Sequence, residues 1–204
     1  MRVKDLYKKY PTIYDKTIKL QGWIKNHRKQ ACFGFIDFYD GTCFETVQLI
    51  YDEKTKDYDK ISTLKIGTSL KVKGKVIKSQ GSKQEFEIKI EELEIVGECS
   101  EDYPIQPKKH TLEYLRTKLH LRARTSTFQA VFRIRSVSSY AIHEYFQKRG
   151  FVYIHSPFLT ESDSEGAGEM FQVTTFDLET LTKTKEVDYS KDFFGKKVGL
   201  SVTG

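Results

Sequence analysis

Phe35, Gln48 and Glu87 are the side chains of this sequence best suited to hold a flat ligand. Each lies in a stretch where apolar and polar residues alternate, the period of a strand with one wet face. In FGFIDFY (33–39), Ile36 and Phe38 share one face, and Phe33, Phe35 and Asp37 share the other. Asp37 marks the second face as wet, so Phe35 is expected at an accessible surface. With Val47 and Leu49 turned inward, Thr46 and Gln48 face outward. With Phe86, Ile88 and Ile90 inward, Glu85, Glu87 and Lys89 face outward and exposed. A ring, a carboxamide and a carboxylate on one surface can stack an unpaired base and meet its edge. One such stack contributes about 1–3 kcal/mol, and base edges are open chiefly in single-stranded loops. Lys25, Arg28 and Lys29 precede this surface and are expected to hold phosphates. The pattern alone leaves open a Phe35 that merely packs against a loop.

A second constellation is SDSEGAGEMF (162–171). Asp163, Glu165 and Glu169 sit among small residues, with Gly166, Ala167 and Gly168 between the two glutamates. Carboxylates on a glycine-containing loop suit a lid over a cationic ligand group. A solvated acidic loop is the plainer alternative.

The elements that must position these groups follow from the same periodicity. Strands are expected over 17–25, 32–39, 44–51, 69–77 and 84–91. A tight hairpin turn is expected at Asp40-Gly41, and a short helix near 61–64. Five strands of that spacing predict a small β-barrel of the OB-fold kind. Pro104 and Pro107 mark a linker. Thr125 or Ser126 can cap a helix running toward Arg149, with Val131, Ile134, Ala141, Ile142 and Tyr145 on one broad face and Gly150 in the left-handed position after it. Residues 151–154 read as a strand, broken by Pro157. The expected division is a barrel over 1–100, a linker or hinge over 101–124, and a second unit over 125–204.

Composition narrows the function classes. The chain has 204 residues, 38% of them hydrophobic, and a net charge of +6. Residues 1–30 carry nine Lys/Arg against two Asp/Glu, and residues 108–150 carry ten against two, while the rest is acidic. Two basic blocks on an acidic background favour a polyanionic partner. No apolar run approaches the roughly 20 residues of a membrane span, and residues 1–15 lack the apolar core of a secretory signal. Cys32, Cys43 and Cys99 are widely spaced with no CxxC pair, so no metal site is expected and reduced cytosolic thiols are the simpler reading.

GWIKNHR (22–28), FID (35–37) and VQ (47–48) resemble the N-terminal anticodon-binding OB domain of class II aminoacyl-tRNA synthetases of the aspartate–asparagine–lysine group. EYLRTKLHLRARTSTFQAVFRIRS (113–136) is similar to the family segment leading into the catalytic domain. KRGFVYIHSPFLT (148–160) looks like motif 1, with Pro157 as its marker proline, and 162–171 resembles the flipping loop. The resemblance implies an OB barrel followed by the start of an α+β catalytic domain, an antiparallel sheet with helices. It implies that Arg28, Phe35, Gln48 and Glu87 bind the anticodon, the ring stacking on the middle base and Gln48 reading it. It implies that Glu165, with Gly166, Ala167 and Gly168, closes over the α-ammonium of an amino acid, and that Gly150, Phe151 and Pro157 belong to a homodimer interface. EGAGEMF and KDFFGKKVGLSVTG (191–204) are most similar to the asparagine-specific members. Aspartate-specific relatives usually carry an arginine in this loop, where Gly168-Glu169-Met170 stands here. The partners implied are tRNA(Asn), asparagine, ATP and Mg²⁺, in the cytoplasm. Motifs 2 and 3, which bind ATP, are not in the sequence, so this stretch is expected to be the N-terminal part of a longer enzyme, with no catalytic residues of its own and inactive alone. An aspartate-specific or non-discriminating enzyme and a non-catalytic OB-fold RNA-binding module are the alternatives.

Overall fold

Alternation is realised as a closed five-stranded barrel in the computed structural model of the chain, which describes all residues except 82–83, 164–165, 167–169, 184–185 and 203–204, and all but the side chain of residue 180. The strands are β1 (Thr17–Lys29), β2 (Phe33–Tyr39), β3 (Val47–Asp52), β4 (Ser69–Lys78) and β5 (Phe86–Gly97), in the ring order β1-β2-β3-β5-β4. All pairings are antiparallel except β3 with β5, where Leu49 lies opposite Ile88. Ile36, Phe38, Leu49, Val76 and Ile88 are fully buried inside. Each such side chain contributes roughly 1.5–3 kcal/mol relative to exposure.

Helix α1 (Val3–Lys9) seals one side of this core with Val3 and Leu6, both fully buried. The sequence reading gave residues 1–15 no element. Arg2, at the N-cap, makes no side-chain cap. The carboxylate of Asp40 supplies it from the β2–β3 connection, accepting the Val3 N–H at 2.7 Å while also accepting from the Thr42 N–H and hydroxyl. That connection runs from residue 40 to 46 rather than forming a tight turn at Asp40-Gly41, and β3 starts at Val47 instead of residue 44. The short helix also sits earlier than expected, as α2 (Tyr58–Ser62).

Tyr51 is fully buried beside Gly34, where a Cβ would lie 2.2 Å from the Tyr51 hydroxyl. Only glycine fits that approach. The hydroxyl meets His27 Nε2 at 2.8 Å, and His27 Nδ1 meets the Leu64 carbonyl at 2.8 Å. A carbonyl only accepts, so Nδ1 carries the proton and Nε2 accepts from Tyr51. Burial pushes the Tyr51 phenol up to about 12 and holds His27 below its ordinary 6.5.

Beyond the barrel come α3 (Leu112–Arg116) and α4 (Ser126–Gln147). Thr125 caps α4, its hydroxyl accepting the Phe128 N–H at 3.4 Å. Gly150 ends the run at φ +84°, with its own N–H on Gln147 and that of Phe151 on Phe146, a Schellman closure. Two compact units result, Met1–Ser138 and Ser139–Gly204. In the second, β6 (Leu159–Thr160), β7 (Gln172–Val173) and β8 (Val198–Leu200) form a small antiparallel sheet ordered β6-β8-β7, with α5 (Leu178–Leu181) between β7 and β8 in sequence. Asp192 is buried beside it, accepting from the Thr175 N–H and hydroxyl. Hydrogen bonding, chiefly from the Thr174 hydroxyl, holds its carboxyl far below the usual carboxylate range. Residues 151–154 are not a strand: they are exposed and pair with no neighbouring strand among the described residues.

Candidate nucleic-acid interface

Four neighbouring strands bring one row of side chains to the outer wall of the barrel. Register places Arg28 opposite Phe35, Asn26 opposite Asp37, and Asp37 opposite Gln48. The parallel β3–β5 pairing sets Gln48 alongside Glu87. Phe35 is half-buried, with the Phe33 ring edge-on at 5.3 Å and the Arg28 guanidinium 5.5 Å from its centroid. At exposed sites such a cation–π contact contributes about 0.5–1 kcal/mol.

A continuous hydrogen-bond chain links the row. Asn26 Nδ2 donates to Asp37 at 3.1 Å. Arg28 Nη2 donates to Asp37 at 3.3 Å and to Gln48 Oε1 at 3.0 Å. Gln48 Nε2 donates to Glu87 Oε1 at 3.0 Å, and that same oxygen accepts from Ser79 Oγ at 3.0 Å and Gln84 Nε2 at 2.6 Å. Glu87 therefore faces outward yet is only 7% exposed, contrary to the expectation of an open acid. Gln48 of β3, with Ser79 and Gln84 of the β4–β5 connection, closes over it. Arg28 is exposed, and its Nη2 is engaged with Asp37 and Gln48, contacts that use neither Nε nor Nη1. Lys25 and Lys29 turn elsewhere, their ammonium groups donating to Ser126 at 3.3 Å and Ser62 at 3.1 Å. Phe35, Gln48, Arg28 and Glu87 thus come together. Asn26, Asp37, Ser79 and Gln84 join them. Asp37 served in the sequence only as a marker of the wet face. Ser79 lies between two expected strands, in a stretch to which the sequence assigned no role.

The wall so formed has a flat ring, one amide with unspent hydrogen-bonding capacity, and a cation beside the ring. It can stack a base and meet its edge; it has no nucleophile and no base poised for proton transfer. The described residues contain no group of three or more His, Cys, Asp or Glu fit to hold a metal, and no helix among them is long and apolar enough to cross a membrane.

Of the loop candidates, Glu165, Ala167 and Gly168 lie outside the described residues. Gly166 is exposed, with φ +62° and its N–H on Asp163 at 3.0 Å. A cleft of about 400 Å³ nearby is lined by Glu161, Asp163, Met170, Gln172 and Lys197. Gly150, Phe151 and Pro157 are all exposed, as are Ile134, Val137, Tyr140 and Ile142 of α4.

Comparison with known proteins follows the same division. Residues 18–96 match the family model described as an OB-fold nucleic acid binding domain, and residues 111–197 match that of class II tRNA synthetases (D, K and N). The chain is 50% identical over 204 residues to an asparagine–tRNA ligase of Bacillus thuringiensis subsp. konkukian and 48% identical to one of Desulfitobacterium hafniense; each match takes in 99% of this chain. It spans 44% of the length of those curated relatives. A crystal structure of asparaginyl-tRNA synthetase from Pyrococcus horikoshii complexed with asparaginyl-adenylate superposes with a TM-score of 0.72 at 24% identity, over 81% of this chain and 39% of that one, which speaks for the fold. With a nucleic-acid-binding barrel leading into a segment that matches the class II tRNA synthetases of the D, K and N group, the chain is similar from end to end to asparagine–tRNA ligases of that group.

Proposed function

We propose that this chain is the anticodon-binding part and the beginning of the catalytic domain of an asparaginyl-tRNA synthetase, which attaches asparagine to tRNA(Asn) through asparaginyl-adenylate in the cytoplasm. The row of Phe35, Gln48 and Arg28 on the barrel wall carries the reading. A ring half open to solvent beside an amide with spare donor and acceptor is what an unstacked loop base requires. In this reading Phe35 stacks on the middle anticodon base, Gln48 meets its edge, and Arg28 and Glu87 support them. Glu165 to Gly168 form the loop over the amino acid's ammonium. Asparagine is favoured over aspartate by the identity to asparagine–tRNA ligases along the whole chain and by Gly168-Glu169-Met170.

The reaction consumes ATP with Mg²⁺, but the described residues offer no acidic cluster that fits the ion, so no step is assigned to this chain. The synthetase homodimer would use Gly150, Phe151 and Pro157 together with the exposed apolar face of α4. The test is binding of purified residues 1–204 to tRNA bearing the asparagine anticodon, beside a tRNA differing only in its anticodon, with pyrophosphate exchange measured in parallel. Preference for the first tRNA and no asparagine-dependent exchange are expected. Equal binding of both tRNAs would instead favour a general single-strand-binding module.

A further inference from the structure

We infer that Glu87, held by Ser79 and Gln84, is a positioning residue that locks the Gln48 amide in one orientation, and that this lock lets the site tell a keto pyrimidine from an amino one. The inference rests on the anticodon-binding reading above and extends it to residues of the β4–β5 turn.

Gln48 lies between opposite partners. Its Oε1 accepts from the Arg28 guanidinium at 3.0 Å and its Nε2 donates to the Glu87 carboxylate at 3.0 Å. Turning the amide over would set its NH₂ against a donor-only guanidinium and its oxygen against an acceptor-only carboxylate. Both ends forbid the flip. Glu87 in turn cannot swing away, because Ser79 and Gln84 donate to the oxygen that holds Gln48 and the residue is 7% exposed. On the other side Arg28 is fixed by Asp37, itself bonded to Asn26.

After these contacts the amide retains one N–H and one lone pair. Uracil presents an acceptor at position 4 and a donor at position 3; cytosine presents the reverse. A free amide can rotate to serve either base. A locked one serves a single sense, and a base stacked on Phe35 cannot turn over to compensate.

The test uses residues 1–204 and two RNA hairpins that differ only in uridine or cytidine at the centre of the loop, titrated by fluorescence anisotropy. Wild type should prefer one pyrimidine by roughly tenfold or more, the range of a good two-point edge contact. Glu87→Gln keeps the size but makes the partner's end ambiguous, since its own amide can turn. The preference should fall to about threefold or less, mainly through improved binding of the disfavoured hairpin relative to the favoured one. Ser79→Ala with Gln84→Ala leaves Glu87 in place but looser, and should lower the preference in the same direction by a smaller factor. Phe35→Ala should weaken both hairpins and keep their ratio. The lock is overturned if Glu87→Gln weakens both hairpins equally with the ratio intact, or if wild type binds both equally well. If wild type binds neither hairpin, the anticodon reading fails and the lock fails with it.

Discussion

Phe35→Ala isolates the contribution of the stacking ring. The half-buried ring touches Phe33 edge-on at 5.3 Å and lies 5.5 Å from the Arg28 guanidinium. In the free protein the substitution removes that surface cation–π contact, about 0.5–1 kcal/mol, while the interior set of Ile36, Phe38 and Leu49 is untouched. In the complex it removes a base stack of about 1–3 kcal/mol. At about 1.4 kcal/mol per factor of ten, Kd should rise between roughly 5- and 150-fold. The assay is anisotropy of a labelled anticodon hairpin at several salt concentrations. Ring removal neutralises no phosphate contact, so the slope of affinity against salt should stay at its wild-type value. Phe35→Trp should restore most of the affinity. A Kd within twofold of wild type would refute the stacking assignment, and a flattened salt slope would show that the lost contact was electrostatic.

Other perturbations test the frame that carries the ring. His27 has a folded-state pKa below its ordinary 6.5, chiefly through burial. The unfolded chain therefore binds more protons in that window, and stability should be full above 6.5 and fall as pH drops through it. Urea midpoints across this range should show the loss, and His27→Gln should flatten it; an unchanged slope would contradict the buried neutral imidazole. Asp40→Ala removes the distant cap of α1 and should cost about 1–2 kcal/mol. Amide exchange at residues 3–9 should accelerate more than in the strands; uniform acceleration would deny the cap its local role.

Legibility in the sequence tracked how local the physics is. β2 was readable because Ile36 and Phe38 face a core while Phe35 and Asp37 do not, a period set by the strand itself. The end of α4 was readable because glycine suits the left-handed position after a helix, and Gly150 has φ +84°. Helix α1 was not, since its seven residues bury only Val3 and Leu6 and its cap comes from Asp40. Glu87 was given its outward face but not its burial, because the side chains that cover it come from Gln48, Ser79 and Gln84, brought together only when β3 lies beside β5. Residues 151–154 show the opposite error: aromatic and β-branched composition favours a strand, but a strand also requires a neighbour. The apolar face of α4 was read from its period, and Val131, Ile134, Ile142 and Tyr145 of that face are exposed in this chain, where Val137 and Tyr140, outside the expected face, are exposed as well.

The ring order β1-β2-β3-β5-β4 has a consequence for biosynthesis. β1, β2 and β3 can pair as they emerge from the ribosome, but the last-made strand of the barrel, β5, inserts between β3 and β4. Until residues 86–97 have left the exit tunnel, β3 has an open edge and the nascent ring cannot shut. Gln48 and Glu87 meet only at that final closure, so competence to discriminate among nucleotides should arrive abruptly, once Gly97 has cleared the tunnel, rather than strand by strand.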